Sequence, residues 1–339
     1  MHRSLVLATD VLSPAIDLAR HADESGLHRI WTTEYATRDA PARALALGMA
    51  TSRLQVATGI AYAFSRLPVA MAATAADIQM ATGGRFALGL GAGTRGMRSK
   101  FYGFDGFDHP APRFAEYVEL LKTAWRATDG LSFDGRFYHS RVPGYRANDE
   151  LAQTGPPPVF GAGLNRTMLK YAAASCDGVA LHPLASAPHY LDHTVVPAVA
   201  EGWGDRPGEL ACWVITSIDE DGDLARDRVK TNLAFYFSTP SYQSVAAGTR
   251  WEDTAANVRD TFREIGPRWS ELAKLIDDDM VAAFSLSGTP EEVRKDLAAW
   301  EATLTERGCT ELVFQTIGIG LDDAETIDNC RLIIDTLAA

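Results

Sequence analysis

The chain has 339 residues, 46% of them hydrophobic and 22% charged, which allows a sizeable core and excludes a disordered or fibrous protein. Its 32 basic and 44 acidic residues leave a net charge of −12, which argues against nucleic acid or an anionic membrane surface as a partner. No run of about 18 apolar residues offers a membrane-spanning helix, and the apolar stretch at Leu5–Ala8 is too short for a signal peptide.

In chain order the pattern is strand, then helix, repeated. Leu5–Ala8 reads as a strand and Pro14–Ser25 as a helix. His28–Thr32 is followed by a helical Ala40–Ala50, and Leu54–Ile60 by Val69–Met80. Arg85–Leu90 precedes an amphipathic Arg113–Arg126. Pro158–Gly161 leads to Arg166–Ser175, and Gly178–Leu181 to a helix near Tyr190–Glu201. Leu210–Ile218 precedes Leu224–Phe237, and Glu311–Gln315 precedes Glu325–Leu337. Eight strands separated by helices imply a parallel sheet, because parallel neighbours need a helical crossover. With this length, a closed α/β barrel of the (β/α)8 TIM type with insertions is expected, as one domain. Two stretches break the rhythm. Asp129–Tyr145 carries DG turn signals between aromatic-rich runs and reads as a small hairpin. Residues 238–286 are too long for a loop and are expected to be a helical insertion.

In such a barrel the chemistry lies at the C-terminal ends of the strands. There the sequence gathers small and polar residues: Thr9-Asp10, Thr33-Glu34-Tyr35, Thr58-Gly59-Ile60, Gly91-Ala92-Gly93-Thr94-Arg95, Gly161-Ala162-Gly163-Leu164-Asn165 and His182-Pro183. Gly91 to Gly96 match GxGxxG, but the residues that follow do not read as a helix, so the dinucleotide-fold reading is weak. Gly161 and Gly163 do lead into a helix. They either expose backbone N–H groups for a phosphate or let helix and strand pack closely. Glu34 is a candidate pocket carboxylate, and Asp10 is either another or a helix cap near Ser13. His182 is the only histidine placed at a strand end; a satisfied core histidine is the alternative. The other histidines show no metal-ligand spacing, and the cysteines, Cys176, Cys212, Cys309 and Cys330, are far apart without a CxxC pair. Neither a metal nor a disulfide framework is expected, and a reduced, cytoplasmic protein is.

These strand ends resemble the luciferase-like monooxygenase superfamily, whose members bind FMN or the 5-deazaflavin coenzyme F420. The stretch RLQVATGIAYAFSRLPVAMAATAADIQMATGGRFALGLGAG is the most specific. TDVLSP, IWTTEY, GPPPVFGAG and DGVALHP extend the likeness over nearly the whole chain, and AFYFSTPSY and LIDDDMVAAFSLSGTPEEV resemble a deazaflavin-associated branch. The resemblance implies the barrel already counted and a non-prolyl cis peptide at Gly59-Ile60, backing the cofactor ring. It implies phosphate contacts at Gly161, Ala162, Gly163 and Leu164, and contacts from the fourth strand at Gly93, Thr94 and Arg95. Asp10, Thr58, Gly91, Asn165 and Arg166 complete the expected cofactor-binding set. Where many deazaflavin relatives carry histidine after the second-strand acid, this chain has Tyr35, so Glu34, Tyr35 and His182 share the candidacy for acid–base work. Hydride transfer between reduced coenzyme F420 and a C=C, C=N or C=O bond of a small molecule is the implied activity. FMN with O₂ is the alternative, and a homodimer is expected. An anionic cofactor meeting a chain of net charge −12 needs a local basic patch. The candidates are Arg66, Arg95, Arg98, Lys100, Arg166 and Lys170. Phe101, Tyr102, Phe104 and Phe107 form an aromatic loop, either a lid or a rim cluster.

Overall fold

A computed structural model describes residues 1–103 and 108–338; Phe104 and Phe107 of the aromatic loop lie outside the described residues. The elements are β1 (His2–Leu7), α1 (Leu12–Ser25), β2 (Arg29–Thr32), α2 (Ala40–Met49), β3 (Gln55–Thr58), β4 (Ala61–Tyr62), α3 (Pro68–Ala81), β5 (Phe86–Gly91) and α4 (Arg95–Phe101). Then come α5 (Pro110–Arg126), β6 (Leu131–Asp134), β7 (His139–Val142), α6 (Asp149–Thr154), β8 (Val159–Gly163), α7 (Arg166–Ser175), β9 (Gly178–Leu181), α8 (Pro188–Tyr190) and α9 (Val196–Trp203). The last part holds β10 (Glu209–Ile218), α10 (Gly222–Phe237), α11 (Gln243–Ala246), α12 (Glu252–Ile265), α13 (Trp269–Leu272), α14 (Asp278–Phe284), β11 (Ser285–Gly288), α15 (Pro290–Thr305), β12 (Glu311–Gln315) and α16 (Asp323–Leu337).

The fold is a closed parallel (β/α)8 barrel, built on β1, β2, β3, β5, β8, β9, β10 and β12. Its strands read as unbroken apolar runs because helices outside and side chains inside bury both faces. All six residues of β5, FALGLG, are buried. The chain divides into two compact units.

The first unit holds residues 1–28, 181–194 and those from Ala211 onward. Its strand order is β11-β10-β12-β1. The ten residues of β10 outrun β12: Ala211–Ile215 pair with Glu311–Gln315, and Ile215–Ile218 pair with Ser285–Gly288 of β11. The segment expected as a helical insertion does contain α11 to α14, but its last two residues open β11. SLSG is short and has no β-branched or aromatic residue, so the pattern did not separate it from the helix before it. Helices α15 and α16 each start in a reciprocal capping box, Thr289 with Glu292 and Asp322 with Glu325.

The second unit holds residues 29–180 and 195–210. Its order is β2-β3-β5-β8-β9. The run expected as one strand from Leu54 to Ile60 stops at Thr58. A cis peptide joins Gly59 to Ile60, and the two-residue β4 then pairs with Leu90 and Gly91. The hairpin expected in 129–145 is present as antiparallel β6 and β7. Arg29, buried at the base of β2, donates to Gln55 and lies over Trp31 and Phe160. Within the described residues no helix is long and apolar enough to cross a membrane, and all four cysteines are buried free thiols.

Candidate active site

In the second unit, the ends of β2, β4 and β5 bring a small polar network together. Glu34 follows β2, and its side chain is only 2% exposed. Arg66 Nη1 donates to both carboxylate oxygens, at 2.8 and 2.9 Å. The other arm of the same guanidinium, Nη2, donates to Asp39 Oδ2. Asp39 is also the N-cap of α2, accepting from the Ala42 backbone N–H at 2.8 Å. Tyr102, the C-cap of α4, stands within electrostatic reach of the Glu34 carboxylate and is 38% exposed. The Tyr62 hydroxyl donates to the Glu34 main-chain carbonyl at 3.3 Å. Burial pushes the Glu34 carboxyl above its ordinary range, against the pull of Arg66. Burial, then the Glu34 charge, raises the Tyr102 phenol. Beside this network lies a cavity of about 260 Å³ lined by Tyr62, Phe64, Ser65, Ala92, Arg98 and Tyr102.

The glycines at these ends have concrete reasons. A Cβ on Gly91 would stand 2.0 Å from Ile60 Cδ1, so the side chain after the cis peptide lies where a larger residue would project. Gly93 has φ +67°, a conformation that disfavours any side chain. Cβ atoms on Gly161 and Gly163 would come 2.7 Å from Ala172 Cβ and 2.9 Å from Met168 Cβ. That is the close-packing reading of the second glycine pair: both are needed for α7 to seat on β8. The strip Gly91-Ala92 beside Gly161-Ala162 is therefore bare backbone at the strand ends, with aromatic walls nearby. These residues fit a planar ring laid on that strip.

Several expected roles shift. The GxGxxG residues do open a helix after all: Thr94 caps α4 by accepting from Met97 N–H at 3.2 Å, although α4 has only seven residues. The run Arg95-Gly-Met-Arg-Ser-Lys-Phe was missed because Gly96 and Ser99 weaken its propensity. Asp10 is exposed and does not cap α1, whose N-cap is Val11 without a side-chain bond. The Thr58 hydroxyl donates to the Gly89 carbonyl at 2.7 Å. Asn165 caps α7 through Met168 N–H at 2.9 Å. Of the basic candidates, Arg66 is held by Glu34 and Asp39, and Arg166 and Lys170 both pair with Glu201. Arg98 is buried, its guanidinium 4.9 Å from the Phe64 ring centre. Tyr35 is 43% exposed and packs edge-on against Phe101 at 5.5 Å. The structure thus brings Glu34 together with Arg66 and Asp39, partners that residue spacing did not connect. Only a carboxylate and an arginine 32 residues apart at neighbouring strand ends could have signalled the pairing.

In the first unit, His182 caps the turn after β9, its Nδ1 accepting from Leu184 N–H at 3.3 Å. Its ring stacks on Tyr242 at 4.3 Å and meets Tyr236 edge-on at 4.7 Å. Burial lowers the imidazole to about 3 and pushes the Tyr242 phenol up to about 12. His182 is therefore neutral at physiological pH, with Nε2 carrying the proton; Nε2–H can donate a hydrogen bond, but the ring does not serve as an imidazolium acid.

A model of the luciferase-like monooxygenase family matches residues 2–307. The chain belongs to that family. Its members are flavin- or deazaflavin-dependent oxidoreductases, and this chain is an enzyme of that class. An uncharacterised protein of Mycobacterium tuberculosis (strain ATCC 25618 / H37Rv) is 32% identical over 293 residues, 83% of this chain and 85% of the relative. A 5,10-methylenetetrahydromethanopterin reductase of Archaeoglobus fulgidus is 25% identical over 303 residues, 86% of each. Among solved structures, the coenzyme F420-dependent tetrahydromethanopterin reductase of Methanopyrus kandleri superposes with a TM-score of 0.79 at 21% identity, covering 99% of this chain and 97% of that one. The cis peptide at Gly59-Ile60 stands where the family resemblance implied it.

Proposed function

We propose that this chain is a coenzyme F420-dependent oxidoreductase that moves hydride between the deazaflavin and a C=C, C=N or C=O bond of a small organic molecule. The observation that carries this reading is the buried Glu34 carboxylate, held by Arg66 next to Tyr62, which lines the cavity at the strand ends. A redox step on a neutral double bond needs a proton source in a water-poor site, and that is what a desolvated acid on a fixed cation provides. Kinship with the methanopterin reductase supports the deazaflavin over FMN. When bound, the deazaflavin supplies the hydride, and the protein supplies orientation and the proton. Ile60, Gly91 and Ala92 would floor the ring, with Gly93, Thr94 and Arg95 along its edge and the Gly161 to Arg166 segment near its phosphate.

Fluorescence titration of the purified protein with coenzyme F420 and, separately, with FMN tests this reading. Tight binding of F420 and weak binding of FMN supports it. Preference for FMN, together with oxygen uptake on reduction, turns the assignment to a monooxygenase. Binding of neither overturns it.

A further inference from the structure

The cavity beside the Glu34 network has a single charged residue in its wall. Of Tyr62, Phe64, Ser65, Ala92, Arg98 and Tyr102, only Arg98 bears a charge. Arg98 is 4% exposed, whereas a long cationic side chain ordinarily keeps its head in water. Its place is fixed from two sides. It belongs to α4, and its guanidinium stands 4.9 Å from the Phe64 ring centre. The Arg113 guanidinium of α5 stands 5.3 Å from the same ring and donates through Nε to the Tyr138 hydroxyl at 3.2 Å. One phenyl ring therefore gathers two guanidiniums, held by its quadrupole although they repel each other. Burial, then the Arg113 charge, lowers Arg98 below the ordinary guanidinium range. A guanidinium carries five N–H donors in a planar fork, enough to hold a protein neighbour and a ligand at once.

We infer that Arg98 determines specificity: the cavity takes a small organic acid, with its apolar body against Tyr62, Phe64 and Tyr102 and its carboxylate on the Arg98 guanidinium. The lining supports both halves of that ligand. Three aromatic rings and Ala92 offer apolar surface, and the Ser65 hydroxyl already donates to the Tyr62 carbonyl at 2.8 Å. The cation in the wall then sets the charge of the ligand, and Arg113 adds to the positive potential at Arg98. A planar fork matches a carboxylate with two parallel hydrogen bonds, which a single ammonium does not. The neighbouring Glu34 carboxylate is neutralised by Arg66, so it does not meet an incoming acid as a bare charge. That this acid is the substrate rests on the oxidoreductase reading above; its reducible double bond would lie in the same molecule. A cofactor phosphate shares the chemistry of a carboxylate, and the experiment separates the two.

The test is calorimetric titration of the full-length protein, alone and with coenzyme F420 present. The probes are benzoylformate and its neutral amide, benzoylformamide. Wild type should bind the acid about tenfold or more tighter than the amide, the ratio for a charge-assisted contact. In Arg98→Met that preference should vanish, with amide affinity unchanged. In Arg113→Met it should weaken and survive, because that cation acts on the carboxylate only through the field. If Arg98→Met does not fold, Arg98→Gln, which keeps donors without the charge, carries the same expectation. Equal binding of acid and amide by wild type overturns the inference, and so does binding of neither probe. An acid preference that survives the loss of the Arg98 charge overturns it too. If cofactor affinity falls in that variant while the acid preference stays, the guanidinium serves a cofactor phosphate instead. Titration of wild type with both cofactors separates this idea from the redox reading. A protein that prefers the acid but binds neither cofactor keeps the acid site and loses the redox reading. One that binds coenzyme F420 without preferring the acid loses the acid site alone.

Discussion

Removing Arg66 should expose how the site balances its charges. In Arg66→Ala the Glu34 carboxylate, 2% exposed, loses both hydrogen bonds at 2.8 and 2.9 Å and its only cation within the network. Breaking a buried pair from one side costs about 3–5 kcal/mol. Arg66 itself is 25% exposed, so water offsets part of that loss, and about 3 kcal/mol at pH 8 is the working figure. The sign of the pH dependence follows from burial. The Glu34 carboxyl titrates above its ordinary value near 4.5, so its contribution to stability is fully present below that value. It is lost as the pH rises through the folded-state value. Without Arg66 that value climbs further and the window of loss widens upward. At pH 5 Glu34 can take a proton, and the cost of the substitution should shrink to about 1–1.5 kcal/mol for lost hydrogen bonding. The double variant Glu34→Gln with Arg66→Ala should recover most of the stability at pH 8, because no charge is left buried. Thermal melts of the three proteins at pH 5 and pH 8 measure this. Equal losses at both values, or no recovery in the double variant, would refute the reasoning that an uncompensated carboxylate is the cause.

Four further outcomes are expected. Glu201→Gln should leave the melting temperature nearly unchanged but free Arg166 and Lys170, so coenzyme F420 binding at low salt should tighten in a fluorescence titration if those cations serve its phosphate. Gly89→Ala places a Cβ 1.9 Å from the Thr58 carbonyl oxygen, in strand backbone that cannot yield; a loss of about 3 kcal/mol or an insoluble product is expected, judged by expression and melting. Thr289→Ala removes half of the α15 capping box and should cost about 1 kcal/mol in a urea titration. His182 should show neutral-imidazole NMR shifts down to about pH 4. Its stabilising contribution should be present above the ordinary value of 6.5 and be lost as the pH falls from there toward about 3.

The barrel was legible because its signal repeats. Eight short apolar runs, each followed by a helical period, leave few other folds, and a strand buried on both faces needs no alternation to be seen. Where one residue decides the outcome, the pattern lost its grip. Thr58 and Ile60 look alike to a β-propensity reading, yet the chain stops one strand between them and starts another. SLSG was absorbed into the helices before it, since nothing in four residues says that β10 will be long enough to need a second partner.

Site chemistry was legible in type but not in partnership. Glu34 stood out as an acid at a strand end, and its surroundings decide what it can do. Arg66 looked like one of six loose cations for an anionic cofactor because, in sequence, a basic residue near a strand end has no visible partner. In the fold it is bound on both sides by carboxylates, and so are the two cations after β8 by one glutamate. An acidic chain thus uses its scarce positive charge first to neutralise its own buried and neighbouring acids. Any phosphate-bearing ligand must then either displace those internal partners or rely on backbone N–H groups, which carry no sequence signature beyond the small residues that expose them. That is why the strip of glycine and alanine at the ends of β5 and β8 is the better guide to where a cofactor would lie, and the arginines the better guide to which acids are kept in place.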